Sequence, residues 1–265
     1  KNLSILRENK KIGISSNLKV FIDISHFFSL NKIKMKNLVF NKTDFNIYLK
    51  DYLFFTDLLK IAPNENKILF KNSNIFFKDQ DDEVLFINKI DNGKFYFDSN
   101  NLQNILNMKS EVFKVPYKLL IKNDKFYKKF YVKFNSKKIR LMIENETNYE
   151  DLSKTGLLDI LFINKNTSLS YKIDKKSLDF TSDDNSNRYR GKIDFKPFYL
   201  STILNYDGLS LKHVFDKQSI FIDIFESEIL NNKNLSANLD LNVADITNIN
   251  ELNNLNLKIL IEEGD

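Results

Sequence analysis

The chain has 265 residues, 42% of them hydrophobic and 28% charged, which is enough for one large β domain or two smaller ones and is not typical of a disordered chain. Its net charge of +5 is weak for a dedicated nucleic-acid binder, and its lack of cysteine excludes disulfides, thiolate zinc sites and cysteine nucleophiles. No window approaches the ~20 uninterrupted apolar residues of a transmembrane helix.

Apolar and polar residues alternate with a period of two along most of the N-terminal part, which predicts strands. These predicted strands cover 18–24, 33–40, 45–49, 67–70, 74–78, 83–90 and 94–98. Residues 51–61 predict a short helix, with Asp51 as its N-cap and Pro63 after its end. Asp91-Asn92-Gly93 predicts a hairpin turn, because an Asn-Gly pair between alternating runs favours one.

Residues 112–144 have the clearest pattern, which predicts an antiparallel meander with one apolar and one charged face. The predicted turns lie at Asn123-Asp124 and Asn135-Ser136. The apolar face supplies the candidate groove-lining residues Val115, Tyr117, Leu119, Ile121, Phe130, Val132, Phe134, Ile139, Leu141 and Ile143. The basic face comprises Lys114, Lys118, Lys122, Lys129, Lys133, Lys138 and Arg140.

The C-terminal part continues with strands and one change of pattern. Strands are predicted over 158–163, 168–173, 177–182, 189–195, 235–243 and 255–261. Between them, apolar residues at helical spacing predict a helical insert near 197–230, with Pro197 in its first turn. We therefore predict a β-rich region over 1–196, with the short helix, and a second region over 197–265, with one continuous domain as the alternative.

The predicted fold is mainly β: a long antiparallel, curved, groove-like sheet with a few short helices. Such a sheet must cover its apolar face with a helix, a second sheet or a ligand. A sheet that stays curved and partly open exposes a trough that suits acyl chains. If two sheets close on each other, the same residues are core, and core is the commoner arrangement.

Catalytic and metal-binding patterns have little support. His26 and His213 are far apart, and Ser210, His213 and Asp216 have helical spacing without a nucleophile elbow. The acidic run from Asp79 to Glu83 lacks the glycine of a calcium loop and favours a solvated loop. No glycine-rich phosphate loop is present. We expect no enzymatic activity, no cofactor and no metal.

Lysines and aromatic residues interleave over 112–140, as they do in single-strand nucleic-acid platforms. The alternation, however, places most of the aromatic side chains on the face opposite the lysines, and only Tyr131 shares the basic face. This favours a solvated outer face, with contact to anionic lipid as the alternative.

Two stretches resemble the AsmA-like family of bacterial envelope proteins. Residues 17–59 run from a strand through a short turn to IKMKNLVF at 33–40 and FNIYL at 45–49, which is similar to the early part of those proteins. The run YRGKIDFKPF at 189–198 and the tail over 234–264 resemble their C-terminal portion. The resemblance spans most of the chain and rests on the pattern of strands rather than on a catalytic motif.

Members of that family are tethered to the inner membrane of Gram-negative bacteria and project into the periplasm. They are related to bridge-like lipid-transfer proteins of the TamB type, whose β-rich bodies hold lipid along an apolar groove. The resemblance implies a non-enzymatic role in phospholipid transport or outer-membrane assembly. Its partners would be phospholipid or another acyl-chain lipid, other envelope proteins, and a membrane reached through an N-terminal anchor.

Two alternatives stay open. One is a structural or partner-binding β module with a closed core and no lipid. The other is a basic binder of single-stranded nucleic acid, although we expect no nucleic acid as a partner. The chain begins with Lys1 and its last strand-like run ends near Glu262, so we expect a segment of a longer protein.

Overall fold

A computed structural model describes residues 3–7, 10–23, 34–48, 66–79, 81–124, 126–148, 154–162, 165–174, 176–182, 188–195, 197–210, 233–247 and 254–263. All regular elements in these ranges are strands, which confirms the mainly β prediction. None of these residues forms a helix long and apolar enough to cross a membrane. The strands are β1 (Leu3–Arg7), β2 (Lys10–Asp23), β3 (Lys34–Tyr48), β4 (Lys67–Lys78), β5 (Val84–Asp98), β6 (Gln103–Val112), β7 (Val115–Asp124), β8 (Lys129–Ser136), β9 (Leu141–Asn148), β10 (Lys154–Phe162), β11 (Lys165–Ile173), β12 (Ser177–Ser182), β13 (Tyr189–Phe195), β14 (Phe198–Tyr206), β15 (Leu209–Ser210), β16 (Ala237–Val243), β17 (Ile246–Thr247) and β18 (Leu255–Ile261).

The strands belong to one 16-stranded sheet that follows chain order from β1 to β14 and continues with β16 and β18, while β15 and β17 pair separately. The pairs β3–β4 and β14–β16 are parallel, whereas the pairs beside them are antiparallel. Parallel neighbours need a long crossover connection. The predicted helix near 51–61 lies in the first crossover, outside the described residues.

The chain divides into two compact units, unit 1 over Lys1–Phe134 and unit 2 over Asn135–Asp265. Unit 1 contains β1 to β7 and most of β8, and unit 2 contains β9 to β18. The division predicted between residues 196 and 197 stays a prediction.

Three interruptions that the sequence presents as breaks between strands lie inside the continuous strands β3, β4 and β5 of unit 1. Lys42 and Asn72 have positive φ angles of 52° and 45°, and the ladder between β5 and β6 shifts register between Ile90 and Asn92. The register aligns these positions, because Asn41 pairs with Lys71 and Lys71 pairs with Asn92. The predicted hairpin at Asp91-Asn92-Gly93 is therefore wrong: these residues form an irregularity within β5, and irregularities of this kind bend strands.

The contacts of Phe40 show that β3 bends at this line. Its ring centroid lies 5.6 Å from that of Phe45 in the same strand, although five residues of a regular strand span about 16 Å. Both rings also contact Phe70 of β4, at 5.7 and 5.8 Å. The bend thus gathers three aromatic side chains on one side of unit 1.

Small hydroxyl side chains fill the inside of this bend. Ser15 and Thr43 are fully buried and hydrogen-bond to each other at 2.7 Å. The backbone N–H of Thr43 donates to Ser73 Oγ at 3.2 Å, and Ser73 Oγ donates to the Lys71 carbonyl at 2.8 Å. These bonds satisfy backbone groups where the ladder between β3 and β4 is interrupted.

Two details of the C-terminal prediction are corrected in unit 2. Residues 198–206 of the predicted helical insert form strand β14, which pairs with β13, and residues 211–232 lie outside the described part. Phe195 pairs with Phe198, so Pro197 lies in a tight connection and does not begin a helix. The run FYLSTILNY is rich in β-branched and aromatic residues, which favour a strand.

The connection before β9 is also displaced from its predicted place. Ser136 is buried at the end of β8. The turn comprises residues 137–140, closed by a hydrogen bond from Arg140 N to the Lys137 carbonyl at 3.3 Å and by a positive φ angle of 47° at Arg140. The turn predicted at Asn135-Ser136 is therefore wrong, and Ile139 lies in the turn.

Candidate functional site

One face of unit 1, here called the apolar face, is built from rows of side chains that the strand register places side by side. On β7, Val115, Tyr117, Leu119 and Ile121 alternate with Pro116, Lys118, Leu120 and Lys122. They pair in turn with Val112, Ser110, Met108 and Leu106 of β6. The period of two and the regular register put these four β7 side chains on one face and Lys118 and Lys122 on the other.

The same face continues onto β8. The ring of Phe134 stacks on that of Tyr117, with 5.0 Å between centroids and 29° between ring planes. Phe130 and Val132 share the face of Phe134 by alternation. Val115 is 2% exposed, whereas the other candidate residues of β7 and β8 are all half-buried. This face is therefore partly accessible within the described residues.

Tyr117 places one polar group on the apolar face. Its hydroxyl donates to Asn88 Oδ1 at 2.9 Å, across from β7 to β5. Burial raises the pKa of Tyr117 and outweighs the opposing effect of this hydrogen bond, so the phenol stays neutral. A satisfied, neutral hydroxyl is compatible with an apolar ligand beside it.

The predicted groove residues of the third run lie in unit 2. Leu141 and Ile143 are half-buried on β9, and Ile139 is buried in the turn before it. Ile143 pairs with Ile160 of β10. Alternation puts Asn145 and Thr147 on the same face of β9, so this face also carries polar groups.

The predicted basic residues lie on strands and turns of both units. Lys118 and Lys122 lie on the face of β7 opposite Tyr117, and Lys129 and Lys133 lie on β8. The Nζ atom of Lys122 is 5.6 Å from the centre of the Tyr131 ring, so Tyr131 shares the face of Lys122. The remaining residues, Lys114, Lys138 and Arg140, lie in turns.

Sequence reasoning missed the aromatic part of the apolar face on β3 to β5. Phe77 and Phe86 pair directly and stack with 4.3 Å between centroids, and Phe113 lies 5.9 Å from Phe86. Phe45 pairs with Ile75, two residues from Phe77. The signal available was the local alternation in each strand, but only the register shows that these rings share one face.

The buried positions of the described residues are unusually polar. The largest side chains with almost no exposure are those of Asn123, Thr43, Ser15, Ser73, Ser110 and Ser136. The Phe residues of the apolar face, by contrast, stay half-buried. Large apolar side chains normally form the interior of a closed domain. Unit 1 also buries apolar side chains such as Ile90, Met108 and Val115, but its least exposed side chains are small and polar and the aromatic side chains of the apolar face stay half-buried.

The acidic run forms a turn between β4 and β5. The Asp79 carboxylate accepts hydrogen bonds from the backbone N–H groups of Asp81 and Glu83 at 2.8 and 2.9 Å. No cluster of three or more metal-ligating side chains occurs among the described residues. His26 and His213 lie outside those residues, as does Asp216.

Comparison with known proteins identifies no relative of this chain. The chain matches no family model, no curated protein and no solved structure.

Proposed function

We propose that this chain is a non-enzymatic segment of an envelope protein that holds phospholipid acyl chains along its apolar face. In this proposal the segment belongs to a periplasmic, membrane-tethered protein that transports phospholipid or assembles the outer membrane. The observation that carries the proposal is the row of half-buried apolar side chains on β7 and β8, continued by the aromatic residues of β3 to β5.

The width of the apolar face supports this proposal. Each strand from β3 to β7 pairs with the next, so apolar side chains on successive strands lie about 5 Å apart. Four strand spacings between β3 and β7 give about 19 Å, which is comparable to an extended acyl chain. A lipid lying across the strands would contact side chains from each of them.

The polarity of the buried positions also supports an open face. Ser15, Thr43 and Ser73 satisfy one another at the bend, so this region of unit 1 is held by hydrogen bonds. The half-buried Phe and Leu side chains keep apolar area that a ligand can cover. Covering apolar area contributes about 25 cal/mol per Å², which is the main source of affinity for an acyl chain.

Native mass spectrometry and lipid extraction of the chain, purified without detergent from a bacterial envelope, test this proposal. We expect co-purifying phospholipid in a stoichiometric amount. A folded chain without lipid would mean that other residues cover the apolar face, and would favour the closed structural module.

Leu119 and Leu120 provide a matched pair of variants. They are neighbours of the same type, both are half-buried, and they lie on opposite faces of β7. Leu119→Asn should reduce bound lipid severalfold, whereas Leu120→Asn should leave the amount of bound lipid unchanged. Both variants should lose a similar amount of unfolding free energy. Urea unfolding of both variants separates loss of binding from loss of folding. Equal lipid in the two variants would contradict the assignment of the binding face.

A further inference from the structure

One end of unit 1 carries exposed apolar side chains on several neighbouring strands. The register brings these strand ends together, because Ile22 pairs with Met35, Asn37 pairs with Lys67, and Ile68 pairs with Phe95. Gln103 then pairs with Asp98 on one side and Asp124 on the other. The exposed side chains at this end, here called the apolar end, are Phe21 (49%), Ile22 (46%), Met35 (36%), Leu102 (54%), Phe126 (77%) and Tyr127 (68%).

Hydrogen bonds fix the turn that presents the two most exposed rings. Asp124 Oδ1 accepts from the backbone N–H groups of Phe126 and Tyr127, both at 2.9 Å. Its Oδ2 accepts from Gln103 Nε2 at 3.0 Å, which joins the turn to β6. The Phe126 and Tyr127 rings pack edge to face with 5.3 Å between centroids. The Asp124 carboxylate therefore fixes the backbone that carries the exposed aromatic pair.

The neighbouring turn is built in the same way. Asp98 Oδ1 accepts from Asn100 N at 3.0 Å, and Asp98 Oδ2 accepts from Asn101 Nδ2 at 2.8 Å. Leu102 follows with a φ angle of 54° and an exposed side chain. Since Gln103 and Asp124 pair, Leu102 and Phe126 leave the sheet beside each other.

The exposed charges around the apolar end are mainly basic. Exposed lysines flank the apolar end at Lys36, Lys67, Lys128 and Lys129, and they outnumber the carboxylates of its two turns, Asp98 and Asp124. The turn at the opposite end of β4 and β5 is acidic, with Asp81, Asp82 and Glu83 exposed. The mainly basic surroundings of the apolar end favour contact with a negatively charged surface.

We propose that the apolar end docks on the surface of an anionic phospholipid bilayer. The apolar ring of Phe126 and the amphipathic ring of Tyr127 enter the interface, and the flanking lysines contact lipid phosphates. Apolar insertion and basic contact together give the two signals that stable attachment to a membrane surface requires. This docking is independent of lipid held along the apolar face.

The aromatic geometry favours a bilayer over single-stranded nucleic acid. Bases stack on open ring faces beside a basic groove. The rings of Phe126 and Tyr127 pack edge to face, so they offer no pair of parallel faces. On the basic side, Lys122 and Lys94 lie over the rings of Tyr131 and Tyr96, at 5.6 and 4.4 Å from the ring centres.

A tryptophan probe tests the proposal directly, because the chain contains no tryptophan of its own. Phe126→Trp should show a blue shift and quenching by brominated acyl chains with vesicles of phosphatidylcholine and phosphatidylglycerol, and much weaker changes with phosphatidylcholine alone. Val84→Trp is the matched control and should not respond. Val84 is an apolar residue that is 46% exposed, and it lies at the end of β5 opposite the apolar end.

Two further measurements complete the test. The double variant Lys36→Gln, Lys67→Gln should weaken vesicle binding about fivefold for each lysine, as expected for basic residues near an anionic surface. An equal response at Val84→Trp, or no response at Phe126→Trp, would overturn the proposal. Quenching of the Phe126→Trp probe by an oligonucleotide but not by vesicles would overturn it in favour of nucleic acid. Leu119→Asn should still bind vesicles, which separates this proposal from lipid retention on the apolar face.

Discussion

The ring of Tyr171 on β11 lies across Gly156 on β10, its direct partner in the ladder. A Cβ atom at Gly156 would overlap the Tyr171 ring and its hydroxyl oxygen, so only glycine leaves room for the ring. Beyond the glycine, the Tyr171 hydroxyl hydrogen-bonds with Thr147 on β9 and accepts from Asn145 Nδ2 at 2.7 Å. One tyrosine thereby joins three strands of unit 2.

The strand glycines among the described residues share this arrangement. Gly13 pairs with Phe45, Gly93 with Phe70, and Gly191 with Phe180. In unit 2 the arrangement forms a row across the ladder, in which Tyr171 and Phe180 are direct partners and each ring covers the glycine beyond it. An aromatic ring over a strand glycine covers the backbone that the missing side chain would expose.

Gly156→Ala should destabilise unit 2 by about 1–3 kcal/mol, because the added methyl group displaces the Tyr171 ring. Urea unfolding measures the loss. Gly208→Ala is the control, since its added Cβ would approach only the Asp245 carbonyl at 3.7 Å and should change stability by less than about 0.5 kcal/mol.

A double-mutant cycle with Tyr171→Ala shows whether the ring causes the loss. With the ring removed, Gly156→Ala should cost less, giving a coupling energy of about 0.5–3 kcal/mol. Additive effects of the two substitutions would show that the ring and the glycine are energetically independent.

The sequence predicts most strands correctly but not where strands end. Its three turn-like signals at 41–44, 71–73 and 91–93 contain Asn, Asp, Ser and Gly, which are typical of turns. In the fold they align on neighbouring strands and bend the sheet. The same local composition favours a turn between two strands and a bend within one strand. Only the pairing with neighbouring strands decides between the two.

The candidate site was predictable to the extent that it depends on alternation within one strand. The shared face of Tyr117 and Leu119 follows from the period of two along β7. The stacking of Phe77 on Phe86 does not, because it depends on the register between β4 and β5. The helical prediction for residues 198–206 is wrong because apolar residues on both faces of a strand imitate helical spacing.

Lys42→Gly should leave stability unchanged or raise it by up to about 1 kcal/mol. Lys42 has a φ angle of 52° and an exposed side chain, so glycine removes backbone strain and forfeits little packing. Lys71→Gly is the matched control in the neighbouring strand and should lose about 0.5–1 kcal/mol, because its backbone is not left-handed. Equal losses in urea unfolding would contradict a strained backbone at Lys42.

Asp124→Asn should destabilise the turn that carries Phe126 by about 1–3 kcal/mol at neutral pH, because hydrogen bonds to the carboxylate are weakened. Burial raises the pKa of Asp124, but bonds from Tyr127 N, Gln103 and Phe126 N outweigh it, so the pKa lies below its ordinary value. The stabilisation is therefore present above the unfolded pKa of about 3.9 and is lost as the pH falls through the folded pKa.

Chemical unfolding at pH 7 and near pH 3 checks this pH dependence. The difference in unfolding free energy between the wild type and Asp124→Asn should shrink at the lower pH, where the carboxylate begins to take up a proton. A difference that stays constant would mean that the charge of Asp124 does not stabilise the turn.

Tyr206 should make the chain less stable at alkaline pH. Burial, together with the charge and hydrogen bonding of Tyr189, raises the pKa of Tyr206 to about 12. The two rings pack edge to face at 5.6 Å. An unfolded tyrosine loses its proton near pH 10, so the unfolded state binds fewer protons between pH 10 and 12 and stability falls as the pH rises. The expected loss is about 1–2 kcal/mol, reduced by partial solvent screening.

Ultraviolet absorbance titration of the phenolates should show a late component near pH 12 that is absent in Tyr206→Phe. The same substitution should flatten the decline of stability between pH 10 and 12, measured by urea unfolding. Tyr127→Phe removes an exposed tyrosine from unit 1 and is the control, so its late component should persist. If the late component survives in Tyr206→Phe, another tyrosine accounts for it, and the packing of Tyr206 against Tyr189 does not hold its proton.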